Sequence, residues 1–253
     1  MNGRISLHEI SKLTRIDYST VKYRFRHLRE KGIIKGFRLY VNPAFFGLQR
    51  VFLLSSEPIP RLANMVLEFR CVEGPALYEI ACGSTQELND LCHKYQSTII
   101  ECWLPIRFHP EKISILDYEI IKVLSSDPRA PSSVIAKTLK APTKHIKKRL
   151  EFLYSNNYIK VLPDIQIDAP SFLMFLLISG RPFHVRRSLL NNLVWEYAER
   201  EKGVFVCYSE DLRSLTRILH QLKRSDPGIK VLVKSRYAVY DYYNNSVITS
   251  KSV

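Results

Sequence analysis

The sequence predicts an α+β fold made of two repeats, each a small helical unit followed by an α/β sandwich. Three observations predict it. Positive charge is concentrated in two short windows, the windows match each other at a fixed shift, and a similar order of apolar runs follows each one. With 253 residues, 46% of them hydrophobic, the chain is long enough for more than one domain.

The net charge of +14 comes from the two windows. Between Arg4 and Arg38, ten Lys or Arg stand against three acids, and between Lys122 and Lys160 nine stand against two. The remaining residues carry 19 basic and 19 acidic side chains. Charge spread for solubility would not segregate in this way. The windows therefore predict a polyanionic partner, either nucleic acid or an acidic membrane surface.

A shift of 125 residues brings the two windows into register without a gap. Nine pairs of identical or similar residues then match: Ile10 with Ile135, Lys12 with Lys137, Val21 with Ile146, Lys22 with Lys147, Arg24 with Arg149, Phe25 with Leu150, Leu28 with Leu153, Ile34 with Ile159 and Lys35 with Lys160. So many matches indicate an internal duplication.

The sandwiches are predicted from the apolar runs that follow each window. The first half is expected to contain a strand at 51–54, a helix at 62–69, a strand at 77–82, a helix opened by Ser84 and a strand at 99–108. The second half is expected to contain a strand at 172–178, a helix at 185–199, a strand at 204–208, a helix at 211–223 and a strand at 229–240. Residues 70–73 could add a short strand to the first half.

The first window has the pattern of a winged helix-turn-helix. Its apolar positions form two short helical faces that residues 14–18 interrupt: Ile5, Ile10 and Leu13, then Val21, Phe25 and Leu28. Asp17 or Ser19 can cap the second helix, Lys31-Gly32 can end it, and the β-branched and aromatic residues of 33–41 predict a strand or wing.

The second window repeats this pattern less cleanly. A helix at 116–124 is expected to precede helices at 134–139 and 144–153, with Pro142 at the turn. Phe152 takes the place of His27, which is unusual for a residue facing DNA. This copy is therefore expected either to contact the DNA backbone only or to pack against protein.

An α-helix fits the major groove of DNA, where side chains reach base edges while spread cations meet phosphates. The base-edge candidates on the exposed helix faces are Thr20, Tyr23, Arg24 and His27 in the first unit and Lys144, His145 and Lys148 in the second. The phosphate candidates are Lys12, Arg15, Lys22, Arg26, Lys35, Lys137, Lys147, Arg149 and Lys160. The predicted partner is double-stranded DNA.

Residues 2–10 (NGRISLHEI) and 19–37 (STVKYRFRHLREKGIIKGF), followed by Asn42-Pro43, resemble the Lrp/AsnC family of prokaryotic transcription regulators. The resemblance implies a DNA-binding regulator of archaeal type, with no enzymatic activity and no cofactor. It also implies that each winged helix-turn-helix is followed by a ferredoxin-like (RAM/ACT-like) βαββαβ domain. On this basis Ser19, Thr20, Tyr23 and Arg24 lie on the recognition helix, which adds Ser19 to the base-edge candidates. A homodimer and an unidentified small-molecule effector are further partners to expect.

Three departures from the family pattern stand out. The family's first helix would precede Asn2, so the first unit is either truncated or completed by another segment. Each sandwich is expected to have one strand fewer than the family pattern. The glycine-and-aspartate effector loop has no full copy, and residues 73–78 are the nearest match.

The expected domains are 1–43 and 111–169 for the helix-turn-helix units, 44–110 and 170–243 for the sandwiches, and a tail at 244–253. No apolar run reaches the roughly 18 to 20 residues of a membrane span. The N-terminus does not resemble a signal peptide, and the five cysteines include no CxxC pair. We therefore expect a cytoplasmic protein with no membrane partner.

Two other classes of function stay open. Siroheme decarboxylases share the Lrp/AsnC-like architecture, so a tetrapyrrole enzyme is one alternative, although both windows here keep their charge. An RNA-binding or protein-interaction scaffold is the other. The seven histidines lie in no metal-ligand spacing, and no phosphate-cradling glycine loop or nucleophile elbow occurs, so no metal site and no catalytic residue is predicted.

Overall fold

The computed structural model describes residues 4–105, 112–165, 173–189 and 192–244. The expected domain boundaries at 110/111 and 169/170, and the tail from residue 245, lie outside these ranges. The helices are α1 (Leu7–Thr14), α2 (Tyr18–Glu30), α3 (Thr85–Lys94), α4 (Ile115–Ser126), α5 (Ser132–Thr138), α6 (Thr143–Ser155), α7 (Pro182–Leu189) and α8 (Leu212–Ser225). The strands are β1 (Ile34–Val41), β2 (Gln49–Ser55), β3 (Met65–Cys71), β4 (Ala76–Cys82), β5 (Ile99–Trp103), β6 (Ile159–Ile165), β7 (Leu173–Ser179), β8 (Leu193–Ala198), β9 (Gly203–Ser209) and β10 (Lys230–Val239). None of the helices in these ranges combines the length and apolarity that crossing a membrane requires.

Two helical units have the same order of elements: α1, α2 and β1, then α5, α6 and β6, with α4 packed on the second. The turn between the helices contains a left-handed residue in both units, Arg15 (φ 56°) and Lys140 (φ 51°). The turn before each strand does the same, at Gly32 (φ 68°) and Asn157 (φ 55°). Residues 125 positions apart thus adopt the same uncommon backbone conformation.

The two helical units contact each other reciprocally. β1 and β6 pair as an antiparallel ladder. Arg129 donates to the Ile5 carbonyl oxygen at 3.0 Å, and Arg4 donates to the Ala130 carbonyl oxygen. Arg129 lies 125 positions after Arg4, and Ala130 lies 125 positions after Ile5. Each unit therefore donates an equivalent arginine-to-carbonyl hydrogen bond to the other. This is the pattern of a two-fold interface.

The other strands form one eight-stranded sheet, in the order β5-β2-β4-β3-β10-β7-β9-β8. The long strand β10 joins its halves, because residues 230–233 pair with β7 and residues from 234 onward pair with β3. Each half has four strands, so the expectation of one strand fewer is wrong. The second half follows the order βαββαβ, whereas the first has no helix between β2 and β3.

Two of the predicted helices are wrong. Most of residues 62–69 belongs to β3, in which every side chain except that of Arg70 is buried. A strand buried on both faces loses its alternation and cannot be told from a buried helix by its pattern. Residues 185–199 divide into the short helix α7 and the strand β8. Burial alternates along β8, with Leu193, Trp195 and Tyr197 inside, but the apolar Val194 and Ala198 on the other face hide this alternation in the sequence.

The main core lies where the inner faces of the two half-sheets meet. Phe52 of β2 packs against Tyr197 of β8 with ring centroids 4.8 Å apart, and Leu176 and Val206 belong to the same buried cluster. Helix α3 covers the outer face of the first half, and α7 and α8 cover that of the second. The inner sheet faces therefore cover each other within one chain and do not need a partner chain to do so.

Candidate nucleic-acid interface

Helix α2 is held by a cap at its start and by an apolar stripe along one face. The Asp17 carboxylate accepts hydrogen bonds from the Thr20 N–H at 2.9 Å and from the Ser19 hydroxyl. These bonds, that of Ser19 first, lower the pKa of Asp17 from 3.8 to about 2. On the apolar stripe, Phe25 packs against Phe37 of β1 with ring centroids 6.4 Å apart. The opposite face of the helix is therefore turned to solvent.

The exposed face of α2 combines aromatic and cationic side chains. Tyr23 is 58% exposed, and its ring stacks on that of His27 with centroids 5.9 Å apart and planes 9° apart. Arg26 lies 5.9 Å over the same tyrosine ring and forms an ion pair with Glu30 at 3.7 Å. Arg24 is exposed and makes neither a hydrogen bond nor an ion pair with the described residues. Its guanidinium is free for an external acceptor.

The other sequence-predicted residues of the first unit occupy different positions. Lys12, Arg15, Lys22 and Lys35 are exposed on α1, on the turn, on α2 and on β1. These cations are thus spread over several elements, as phosphate contacts require. Thr20 is half-buried, and the Ser19 hydroxyl is already bonded to Asp17. Arg29, a further exposed cation on α2, was not among the residues predicted from the sequence.

The second unit presents a shorter basic face. Lys144, His145, Lys147 and Lys148 are exposed on α6, and Lys137 is exposed on α5. Among the described residues none of these side chains has a hydrogen bond or an ion pair. The predicted cations of α5 and of the first two turns of α6 are therefore available to a polyanion.

Arg149 does not belong to that basic face. Its Nε donates to Asp117 Oδ1 at 2.7 Å, a terminal nitrogen donates to Asp117 Oδ2, and another hydrogen bond reaches the Lys112 carbonyl oxygen at 3.0 Å. The guanidinium also lies 4.3 Å over the Phe152 ring, which itself packs against Tyr158. Asp117 of α4 is buried, so its pair with Arg149 holds the guanidinium inside the protein. Arg149 is therefore a structural residue, and its prediction as a phosphate contact is wrong.

Lys160 also departs from its predicted role. It lies on the wing strand β6, but its side chain is half-buried, and its ammonium donates to the Glu196 carbonyl oxygen of β8 at 3.4 Å. Burial, followed by repulsion from Arg50, lowers the pKa of Lys160. A lysine held against the sheet cannot reach a phosphate at the outer face, so Lys160 is removed from the phosphate candidates.

Comparison with known proteins supports this location of the site. A family model described as "Winged helix-turn-helix DNA-binding" matches residues 2–35. HTH-type transcriptional regulator FL11 of Pyrococcus furiosus is 46% identical over 46 residues, which are 18% of this chain and 30% of that protein. An uncharacterized HTH-type transcriptional regulator of Pyrococcus horikoshii is 34% identical over 76 residues, 27% of this chain and 49% of that protein. The chain thus matches 30% and 49% of the length of these two curated relatives.

The whole fold has a different neighbour. The crystal structure of the siroheme decarboxylase NirDL matches 97% of this chain and 92% of that chain, with a TM-score of 0.52 and 9% sequence identity. At this identity the likeness concerns the fold alone. The family model lies at the N-terminal helical unit, so this unit is a winged helix-turn-helix of the DNA-binding type, and the chain is similar in part to archaeal transcription regulators.

Proposed function

We propose that this protein is a sequence-specific, double-stranded DNA-binding transcription regulator of the Lrp/AsnC type. The observation that carries the proposal is the exposed face of α2, where Arg24 has no partner among the described residues and adjoins the stacked pair Tyr23 and His27. Arg is the side chain that most often reads guanine, through O6 and N7 in the major groove. The match of the surrounding residues to a DNA-binding winged helix-turn-helix supports the same function.

We further propose that duplication has placed two unequal readers on one chain. The reciprocal contacts of Arg4 and Arg129 and the β1–β6 ladder support a two-fold relation between the units, like that of a dimer of identical subunits. Two readers related in this way favour half-sites about 10 bp apart. A homodimer of such chains would use surfaces other than the inner sheet faces.

The two readers contribute different interactions. In the first unit, Thr20, Tyr23, Arg24 and His27 are proposed to contact base edges, with Ser19 supporting the helix start. In the second, Arg149 is committed to Asp117 and Phe152 packs inward, so Lys144, His145, Lys147 and Lys148 are proposed to contact mainly phosphates. Phosphate contacts add affinity without sequence preference. An asymmetric operator is expected, with one strongly specified half-site.

Selection from a pool of random duplexes at one stated salt concentration tests the proposal. The expected result is enrichment of a conserved half-site next to a weakly specified one about 10 bp away. Arg24→Ala should broaden the conserved half-site, while Lys94→Ala, an exposed cation on α3, should leave it unchanged. Recovery of unenriched sequence, or equal competition by structured RNA of matched length, would contradict the proposal.

The fold similarity to NirDL favours one second candidate, a tetrapyrrole enzyme on the same architecture. This candidate predicts that haem or siroheme added to the purified protein shifts its Soret band and that duplex DNA fails to bind. The regulator predicts duplex binding whether or not a tetrapyrrole is present. The two measurements together separate the candidates.

A further inference from the structure

A cavity of about 530 Å³ lies between the wing strands and the sheet, away from the exposed face of α2. Tyr40 and Lys160 line it from β1 and β6, and Arg50, Trp195 and Tyr197 line it from β2 and β8. Its volume is within the range of small-molecule sites in proteins. The cavity thus lies between two layers: the pair of strands β1 and β6, which belong to the helical units, and the eight-stranded sheet.

A buried polar network forms one wall of the cavity. Arg50 Nε lies 2.7 Å from Glu79 Oε1, an Arg50 terminal nitrogen donates to the Tyr40 hydroxyl at 3.1 Å, and that hydroxyl donates to Glu79 at 2.8 Å. The guanidinium stacks over Tyr197 at 4.7 Å and Phe52 at 5.2 Å. Because Glu79 already neutralises Arg50, this arginine fixes the shape of the wall and leaves little charge for a ligand.

Lys160 is different, because its ammonium forms no ion pair with the described residues. The Glu196 and Glu79 carboxylates are near enough to attract it, but no carboxylate oxygen of the described residues lies within 4.0 Å of Lys160 Nζ, which donates to the Glu196 backbone carbonyl oxygen. The nearby Glu196 carboxylate is engaged by Arg186 at 2.9 and 2.7 Å. A half-buried cation without an ion-pair partner loses part of its hydration, and a cavity beside it lets a ligand supply the anion.

The walls near Lys160 are aromatic. Tyr40 and Trp195 form the wall with ring centroids 6.2 Å apart but are only 2% and 3% exposed, and Phe183 of α7, which is 57% exposed, presents the open aromatic face of the same space. Aromatic surfaces favour a flat, unsaturated body that stacks on them. One ammonium matches one negative charge, whereas a phosphate dianion would need a second free cation.

We propose that this cavity binds an organic monocarboxylate with an aromatic body, whose carboxylate pairs with Lys160 while its ring packs among Tyr40, Trp195 and Phe183. The site is separate from the DNA-facing surfaces and does not depend on the function proposed for them. Because it touches both β1 and β6, an occupant contacts both helical units through their strands.

Fluorescence of Trp195 tests the binding directly, since the chain has two tryptophans and Trp103→Phe leaves only this one. The probes are benzoate and phenylacetate, with benzamide as the neutral match. The carboxylates at about 1 mM should change the Trp195 emission and raise the melting temperature, and benzamide should bind at least about tenfold more weakly.

Lys160→Met provides the second arm, with Lys94→Met as the control on an exposed lysine of α3. Lys160→Met should lose at least about tenfold in benzoate affinity and, without ligand, should melt no lower than the wild-type protein, because it removes an uncompensated cation. The benzamide comparison keeps the test valid if this variant does not fold. The proposal is overturned if neither carboxylate binds, if benzamide binds equally well, or if only haem or siroheme occupies the cavity.

Discussion

The Nε atom of Arg149 lies 2.7 Å from Oδ1 of Asp117, a residue of α4 that is completely buried. Arg24 occupies the position 125 residues earlier on α2 and has no such partner among the described residues. The Asp117 carboxylate therefore makes Arg149 a structural residue, whereas Arg24 stays available to an external acceptor.

We expect Arg24→Ala to weaken binding to the preferred duplex by about 1 to 3 kcal/mol and to relax the preference at one or two base pairs. The reason is the loss of a bidentate base contact with little loss of nonspecific charge attraction. Binding titrations against duplexes substituted at each position of the selected site measure this effect. An unchanged preference would remove Arg24 from the reading residues.

Lys147→Ala should lower affinity without changing sequence preference. We expect all duplexes to bind more weakly by a similar factor, and the slope of log affinity against log salt to become shallower by about one unit, because one phosphate contact is lost. Titrations at several salt concentrations on a specific and a random duplex check this. A change confined to the specific duplex would mean that Lys147 reads bases.

Asp117→Ala should destabilise the protein by about 3 kcal/mol, at the low end of the range for a broken buried pair because the Arg149 side chain keeps 18% exposure. Urea unfolding measures it. The matched control is Glu119→Ala on the same helix, which removes the exposed pair with Lys122 and should cost less than about 1 kcal/mol. Equal effects of the two variants would show that the Arg149 pair does not hold α4 in place.

The cap of α2 predicts a pH dependence. The pKa of Asp17 is lowered to about 2 in the folded protein, so its stabilising effect is present above the ordinary value of 3.8 and is lost as the pH falls through the folded value. Asp17→Ala should therefore lower the melting temperature at neutral pH, with the difference from the wild-type protein shrinking between these two values. A difference that stays constant down to the lower value would mean that the carboxylate charge does not hold the cap.

The sequence predicted the helical units well and the sandwiches less well. In α2 the stripe of Val21, Phe25 and Leu28 lies at the spacing of one helix face, and both the capping residue Asp17 and the stop at Gly32 are local signals. Local signals fail for β3, which is buried on both faces, and for the split between α7 and β8.

Only part of the candidate site was predictable from the sequence. Exposure of Tyr23, Arg24 and Lys147 follows from helix periodicity alone. Arg149 instead pairs with Asp117, 32 residues away in the chain, and Lys160 donates to the carbonyl oxygen of Glu196, 36 residues away. Nothing in the sequence next to either cation indicates these partners, so the cavity beside Lys160 could not be predicted.

Binding of one labelled duplex across a salt series, by two variants that each lose four exposed cations, tests most directly whether the helical units meet DNA. One variant replaces Lys22, Arg24, Lys147 and Lys148 with Ala, and the other replaces Arg187, Arg213, Arg217 and Lys223 on α7 and α8. We predict that the first loses most of its affinity and salt dependence while the second stays close to wild type. Equal losses in both variants, or no association of the wild-type protein with the duplex at low salt, would contradict the assignment.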